Sequence, residues 1–251
     1  MSARMTLAAA VLTPLWKWLG SALPPGGQRV LMYHAIGSTV PEDRQGRYSI
    51  APARFAEQME YLAASSRRVG ALGQPQADTV ITFDDCYRDN LTEAYPVLKR
   101  LGLPFTIFAT AGFVRSGAPL YLCSEDLRTL AADPLVTIGA HGDSHARLTT
   151  LAGDALRAEL SHSKKWLEDA TGRAVTVMSY PHGAVDANVR EAVRASGYSA
   201  ACCSEFGVNK AGCDPLVMAR TDLWSSDGMD VFGAKLAGEW DWMRLFTRCG
   251  L

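Results

Sequence analysis

Short apolar runs alternate with helix-period segments along almost the whole chain, and this alternation most narrows what the chain can fold into. Arg29–Ile36, Thr79–Asp84, Pro104–Thr110, Val136–Ala140, Val175–Tyr180 and Tyr198–Cys203 read as buried strands, with Leu216–Leu223 as a candidate last strand. Between them, Pro52–Ser65, Asp89–Leu101, Ser124–Leu130, Asp154–Thr171 and Asp186–Ser196 carry helical spacing or helix start signals. The tail from Met229 to Cys249 also reads as helical. Strands alternating with helices call for a parallel α/β architecture. No GxGxxG follows the first strand, so a dinucleotide fold lacks its fingerprint. The polar residues instead collect where strands end: His34, Asp84 and Asp85, His141, and Pro181 with His182. In a (β/α) barrel those ends carry the active site.

The totals agree with a barrel. At 251 residues the chain suits one such domain, with 48% hydrophobic and 20% charged residues. A net charge of -1, with Lys and Arg scattered, argues against a nucleic-acid binder. Six cysteines occur without a CxxC pair, which speaks against a zinc ribbon. Free thiols in a reducing compartment are the simpler expectation. Residues 1–26 read as an apolar or amphipathic segment, and 27–251 as a single domain. Pro14 and Lys17 break the apolar stretch from Met5 to Leu23, so it is too short to span a membrane. It either packs on the domain, the plainer reading, or touches a membrane surface through residues 1–23. The expected location is cytoplasmic or peripheral at the membrane, with export left open, and the expected state a monomer.

Two motifs carry chemistry. Thr82-Phe83-Asp84-Asp85-Cys86 closes an apolar strand with adjacent carboxylates. One carboxylate can bind a metal while the other takes a proton from a water on it; alternatively the pair caps the next helix. His141 and His145 end another strand four residues apart. A helical turn there would put both rings on one face, where they can share one ion. Two His and one carboxylate leave coordination positions open, as a catalytic metal needs. Such a site tolerates Zn, Co, Ni or Mn, with Zn the leading expectation.

Together the segments resemble the polysaccharide deacetylase family, also called carbohydrate esterase family four or the NodB-homology domain. Thr82–Asp85 is similar to its TFDDG motif, His141 and His145 to its HxxxH motif, and Ser179-Tyr180-Pro181-His182-Gly183 to its third. The resemblance runs from about Val30 to Leu223. It implies a distorted (β/α)₇ barrel, Asp85, His141 and His145 as ligands of one divalent ion, and Asp84 as catalytic base. It also implies an N-acetylated saccharide as substrate, with Tyr180, Pro181 and His182 at the substrate or oxyanion position. The late histidine that serves many members as acid is missing, since no histidine follows His182. His34, in a Tyr33-His34 motif similar to that of permuted relatives, is the expected acid, with His182 its rival.

Two departures stand out. Cys86 replaces the motif's glycine and would be strained if that position needs a positive φ. Ser179 replaces an arginine that orients the base in relatives, leaving Arg220 or Asp222 to contribute. The alternatives to a saccharide deacetylase are a non-catalytic relative that uses the pocket for binding or scaffolding, and a hydrolase of non-sugar amides.

Overall fold

The computed structural model describes residues 12–14, 16, 27–41, 43–74 and 76–247. The expectation for residues 1–26 therefore falls mostly outside the described residues, as does Cys249. Seven parallel strands form one sheet in the order β6-β5-β4-β3-β2-β1-β7. They are β1 (Arg29–Tyr33), β2 (Thr79–Phe83), β3 (Phe105–Ala109), β4 (Val136–Ala140), β5 (Val177–Ser179), β6 (Ala200–Cys202) and β7 (Thr221–Asp222). Every residue of β1, β2 and β3 is buried. Burial on both faces is why these strands read as continuous apolar runs rather than alternating ones.

The sheet curls until its edges nearly meet. β7 pairs with β1 through Leu31–Thr221 and Met32–Asp222. Just upstream, Met218 bridges Cys202 of β6. One short segment thus touches both edges and completes a distorted barrel. The helices α1 (Pro52–Ala64), α2 (Tyr95–Leu101), α4 (Ser124–Ala132), α5 (Gly153–Thr171) and α6 (Ala187–Ala195) flank the strands. Phe55, Met59 and Leu62 of α1, and Leu156, Leu160 and Leu167 of α5, join the core. α3 (Ala111–Arg115) follows β3 directly, and α7 (Met229–Leu236) follows β7.

Three local findings differ from the sequence reading. The expected helix Asp89–Leu101 is a π-helical turn, Asn90–Ala94, running into α2. Pro96 supplies no N–H there, and the wider turn absorbs the break in the hydrogen-bond ladder. The last strand is only two residues long rather than Leu216–Leu223. The histidine pair does not lie on a helical turn: His141 to Arg147 is irregular.

The described part of the N-terminus is helical at Leu12–Pro14 and Trp16. Leu12 and Trp16 pack on a cluster of Phe206, Trp224, Trp240, Trp242 and Met243. Trp242 Nε1 donates to Thr13 Oγ1 at 3.1 Å. Among the described residues no helix is long and apolar enough to cross a membrane.

Candidate active site

The sheet ladder runs on past the strand ends and delivers the polar residues to one place. Asp84 N–H donates to Tyr33 O, His141 N–H to Ala109 O, and Tyr180 N–H to Cys202 O, each at 2.9 Å. A cavity of about 520 Å³ opens at this end of the barrel. His34, Asp84, Asp85, His141, His145, Tyr180, His182 and Asp222 all border it. Four strand ends and the β7 segment therefore converge as the sequence placement predicted.

His141 Nε2 lies 3.5 Å from Asp85 Oδ1, and His145 Nε2 lies 3.3 Å from the same oxygen. One ligand atom from each of these residues falls within 4.8 Å of the others. Asp85 Oδ1 is buried and makes no hydrogen bond of good geometry. A buried carboxylate oxygen facing two imidazole nitrogens is costly unless something positive completes it. Two His nitrogens and one carboxylate oxygen are also a donor set that a divalent ion accepts with positions to spare. The residues present fit the implied metal.

The surroundings prepare that donor set. His141 Nδ1 faces Ser179 O at 2.9 Å and Ser179 Oγ at 2.6 Å. With a proton on Nδ1 held by the Ser179 carbonyl, the Nε2 lone pair points at the Asp85 oxygen. Burial pushes the His141 imidazole down to about 4, against the pull of Asp84 and Asp85, so the ring is neutral at neutral pH. The loop bearing His145 is fastened by Glu159 of α5. Its Oε1 accepts from the N–H groups of Asp143 at 2.8 Å and Ser144 at 2.6 Å. Ser163 Oγ donates to Gly142 O at 2.9 Å.

What brings His145 beside His141 is left-handed backbone at Gly142 (φ 73°) and at His145 itself (φ 64°). The structure describes four non-glycine residues with positive φ: Asp85 (70°), Cys86 (59°), His145 (64°) and His182 (59°). Each such residue costs on the order of 1–2 kcal/mol. All four lie in this site, the usual resting place of stored backbone strain.

Cys86 thus occupies the strained position the sequence pointed to. Its thiol is fully buried, with Sγ 3.9 Å from Thr110 O. Burial raises its pKa far from the thiolate range, and its sulfur is not among the ligand atoms that cluster at Asp85, His141 and His145.

Arg220 answers the missing arginine. Its Nη1 and Nη2 donate to Asp84 Oδ1 and Oδ2 at 2.7 and 2.8 Å, and its Nε to Cys203 O at 2.8 Å. Both side chains are buried, at 1% and 3% exposure. Ser179 Oγ adds a bond to Asp84 Oδ1 at 3.2 Å. Burial would push the Asp84 carboxyl up, but the charge and hydrogen bonds of Arg220, with His141, hold it well below the usual carboxylate range. Asp84 Oδ2 is 3.9 Å from His141 Nε2, at the edge of the metal set.

His34 and Asp222 form the opposite wall. The His34 ring sits 4.4 Å from that of Tyr48, and its Nδ1 is buried without a partner. Asp222 Oδ2 accepts from Trp224 Nε1 at 2.6 Å, while Oδ1 is buried without a partner. Burial raises the Asp222 carboxyl, with the charges of His34 and Lys235 pulling the other way. Behind it, Lys235 Nζ donates to Asp222 O at 2.8 Å and to Asp227 Oδ2 at 2.6 Å. His182 reaches Nε2 to His145 O at 3.3 Å and packs its ring 4.5 Å from that of His145. Tyr180 borders the cavity, but its side chain is buried and its hydroxyl donates to Leu216 O at 2.7 Å. It serves the core rather than offering a face to a sugar.

The profile of the polysaccharide deacetylase family matches residues 73–201. The chain belongs to the polysaccharide deacetylase family. YxkH, a Bacillus subtilis protein provisionally named for this family, is 28% identical over 217 residues, covering 84% of this chain and 76% of that one. Among solved structures, the polysaccharide deacetylase BC0361 from Bacillus cereus superposes with a TM-score of 0.75 at 23% identity. That match covers 84% of this chain and 69% of that one. The Streptococcus pyogenes deacetylase PplD, solved with acetate, gives 0.76 at 19% identity, covering 85% of this chain and 99% of that one. These two likenesses establish the fold, a deacetylase-type (β/α) barrel.

Sequence reasoning gave no structural role to three residues that shape this site. Ser179, noted only as a lost arginine, ties Asp84 to His141. Glu159 fastens the His145 loop. Arg47 enters the cavity from a loop without regular structure, and nothing in the sequence signals it. The Arg220–Asp84 pair had one signal: an arginine amid apolar residues before a strand needs a buried anion.

Proposed function

We propose that the chain is a divalent-metal hydrolase that removes N-acetyl groups from an N-acetylhexosamine in a saccharide or glycan precursor, with residues 27–251 as one catalytic unit. The observation that carries this reading is the convergence of Asp84, Asp85, His141 and His145 on one cavity at the strand ends of a deacetylase barrel.

Asp85, His141 and His145 would hold the ion, for which zinc is our assignment. When bound, such an ion supplies Lewis acidity to the amide carbonyl and acidifies a water. Asp84 takes the proton of the attacking water on its carboxylate. Arg220 makes Asp84 a weak base but keeps it ionised and aimed, which suits a water already made acidic. The backbone N–H of His182, after Pro181, donates to the oxyanion of the tetrahedral species. His34 donates the proton that the leaving amine nitrogen requires, with Asp222 beside it on the β7 segment. The products are acetate and a free amino sugar.

The test is acetate release by the purified protein, with Zn²⁺ or Co²⁺ added, from chito-oligosaccharides and from UDP-N-acetylglucosamine. Asp84→Asn and His141→Ala are expected to abolish it. His34→Ala is expected to keep one metal per chain and lose roughly 10²- to 10⁴-fold in turnover. Loss of the metal in that variant would remove His34 from the acid role. Stoichiometric metal with no turnover on any amide would replace the enzyme reading by a binding module.

A further inference from the structure

Arg47 lines the same cavity, and nothing in the deacetylation scheme uses it. Its backbone is firmly placed. Arg47 O accepts from Ser225 N–H at 2.8 Å, and the neighbouring Tyr48 N–H donates to Asp43 Oδ2 at 2.6 Å. The Ala35–Ser49 bridge fastens the loop to the end of β1. The half-buried side chain lies over Trp224, with Cζ 5.3 Å from the ring centroid. Among the described residues no acceptor lies within hydrogen-bond reach of the guanidinium and no carboxylate within ion-pair reach.

The cavity's acids are otherwise engaged. Asp43 accepts from the N–H groups of Gln45 and Tyr48. Asp84 is held by Arg220, and Asp222 Oδ2 by Trp224. Asp85 faces the two histidines. Arg47 therefore presents a fork of N–H donors to the cavity, steadied by an indole, with no anion among the described residues to receive it. A guanidinium placed this way matches a carboxylate or phosphate in two-point geometry. A neutral N-acetylated oligosaccharide would offer it hydroxyl and carbonyl oxygens but no charge to match.

We infer that Arg47 forms an anion subsite of this cavity, and that the substrate carries an oxyanion, phosphate or carboxylate, on or next to the N-acetylated sugar. The inference rests on the deacetylase reading of the site and narrows its substrate class. The indole of Trp224 keeps the guanidinium extended, so a bound anion meets a side chain already in place.

The test is calorimetric binding to the zinc-loaded protein of three compounds: N-acetylglucosamine 1-phosphate, N-acetylmuramic acid and methyl N-acetylglucosaminide. The first two distinguish phosphate from carboxylate; the third is neutral. Wild type is expected to bind at least one charged compound about ten- to a hundredfold more tightly than the neutral one. Arg47→Met should lose that preference while keeping its affinity for the neutral compound, and Arg47→Lys should restore part of it. Equal affinity for charged and neutral compounds in wild type overturns the inference. So does a preference that survives in Arg47→Met, which assigns the anion to the metal, and so does failure of both charged compounds to bind. Acetate release followed in the same samples reads the deacetylase assignment separately. Turnover without charge preference sinks only the subsite, and charge preference without turnover sinks only the enzyme.

Discussion

Replacing Arg220 with methionine should be the most damaging single change near the cavity that touches no metal-binding residue. The magnitude follows from the geometry. Asp84 and Arg220 are both nearly sealed from solvent and joined by two bonds of 2.7 and 2.8 Å. Removing one partner of a buried pair leaves an uncompensated charge and costs about 3–5 kcal/mol. Ser179 Oγ, at 3.2 Å, is the one remaining donor to Asp84 Oδ1 among the side-chain contacts described, and it is neutral. The cost should appear in urea unfolding of the metal-free protein near pH 7, where no bound ion offsets it. A cycle with Asp84→Asn should give a coupling on the order of 3 kcal/mol, because two charge-assisted bonds join the buried pair directly. Activity should change as well. With the cation gone, burial raises the Asp84 carboxyl, so the acid limb of the turnover profile should move up toward neutral pH. A loss below about 1 kcal/mol, or single effects that simply add, would refute the argument that this pair is tightly coupled.

Three further outcomes follow from the same geometry. At position 86 glycine should be at least as stable as alanine, by urea unfolding, because φ 59° favours glycine by about 1 kcal/mol; the usual order, alanine above glycine, would show that the left-handed turn is not strained. Glu159→Ala should weaken zinc binding roughly tenfold or more by loosening the His145 loop, read by competition with a chromogenic chelator; unchanged affinity would mean the loop holds itself. His141 sits at about 4 when folded and near 6.5 when unfolded, so between those values the unfolded chain binds more protons. Stability of the metal-free protein should therefore fall as pH drops through that window, by about 3 kcal/mol in total. His141→Gln should flatten the fall, and equal slopes in both proteins would contradict it.

Much of this site was legible in the chain because its strands are buried on both faces. RVLMY, TVITF and FTIFA are buried throughout, even at Arg29, Thr79, Thr82 and Thr106, so no polar alternation confuses the reading, and the first polar residue after each run marks a strand end. The barrel seam was legible only as an overlong run, Leu216–Leu223. β7 is two residues long, and its pairing is set by closure of the curled sheet rather than by any run of its own. α3 is five residues long, too short to show a period. The four-residue spacing of His141 and His145 pointed to two rings that the fold does bring together, but through the wrong geometry, since a helical turn and two left-handed residues can both do so. Arg220 and Asp84 lie 136 residues apart, so only the folded chain shows that one replaces the arginine missing at Ser179.

The left-handed residues have a consequence for how the molecule opens. Asp85, Cys86, His145 and His182 concentrate an opposing energy of about 1–2 kcal/mol apiece in a few loops, while the strands beneath them carry none of it. The loops and the barrel should then not melt as one unit. In the metal-free protein, amides around residues 85–86, 142–145 and 181–183 should exchange with deuterium well before those of β1 to β4. Loading the ion should slow exchange in the loops and leave the strands as they were. The catalytic rim would behave as a catch that closes on its ion, mounted on a frame that stays shut without it.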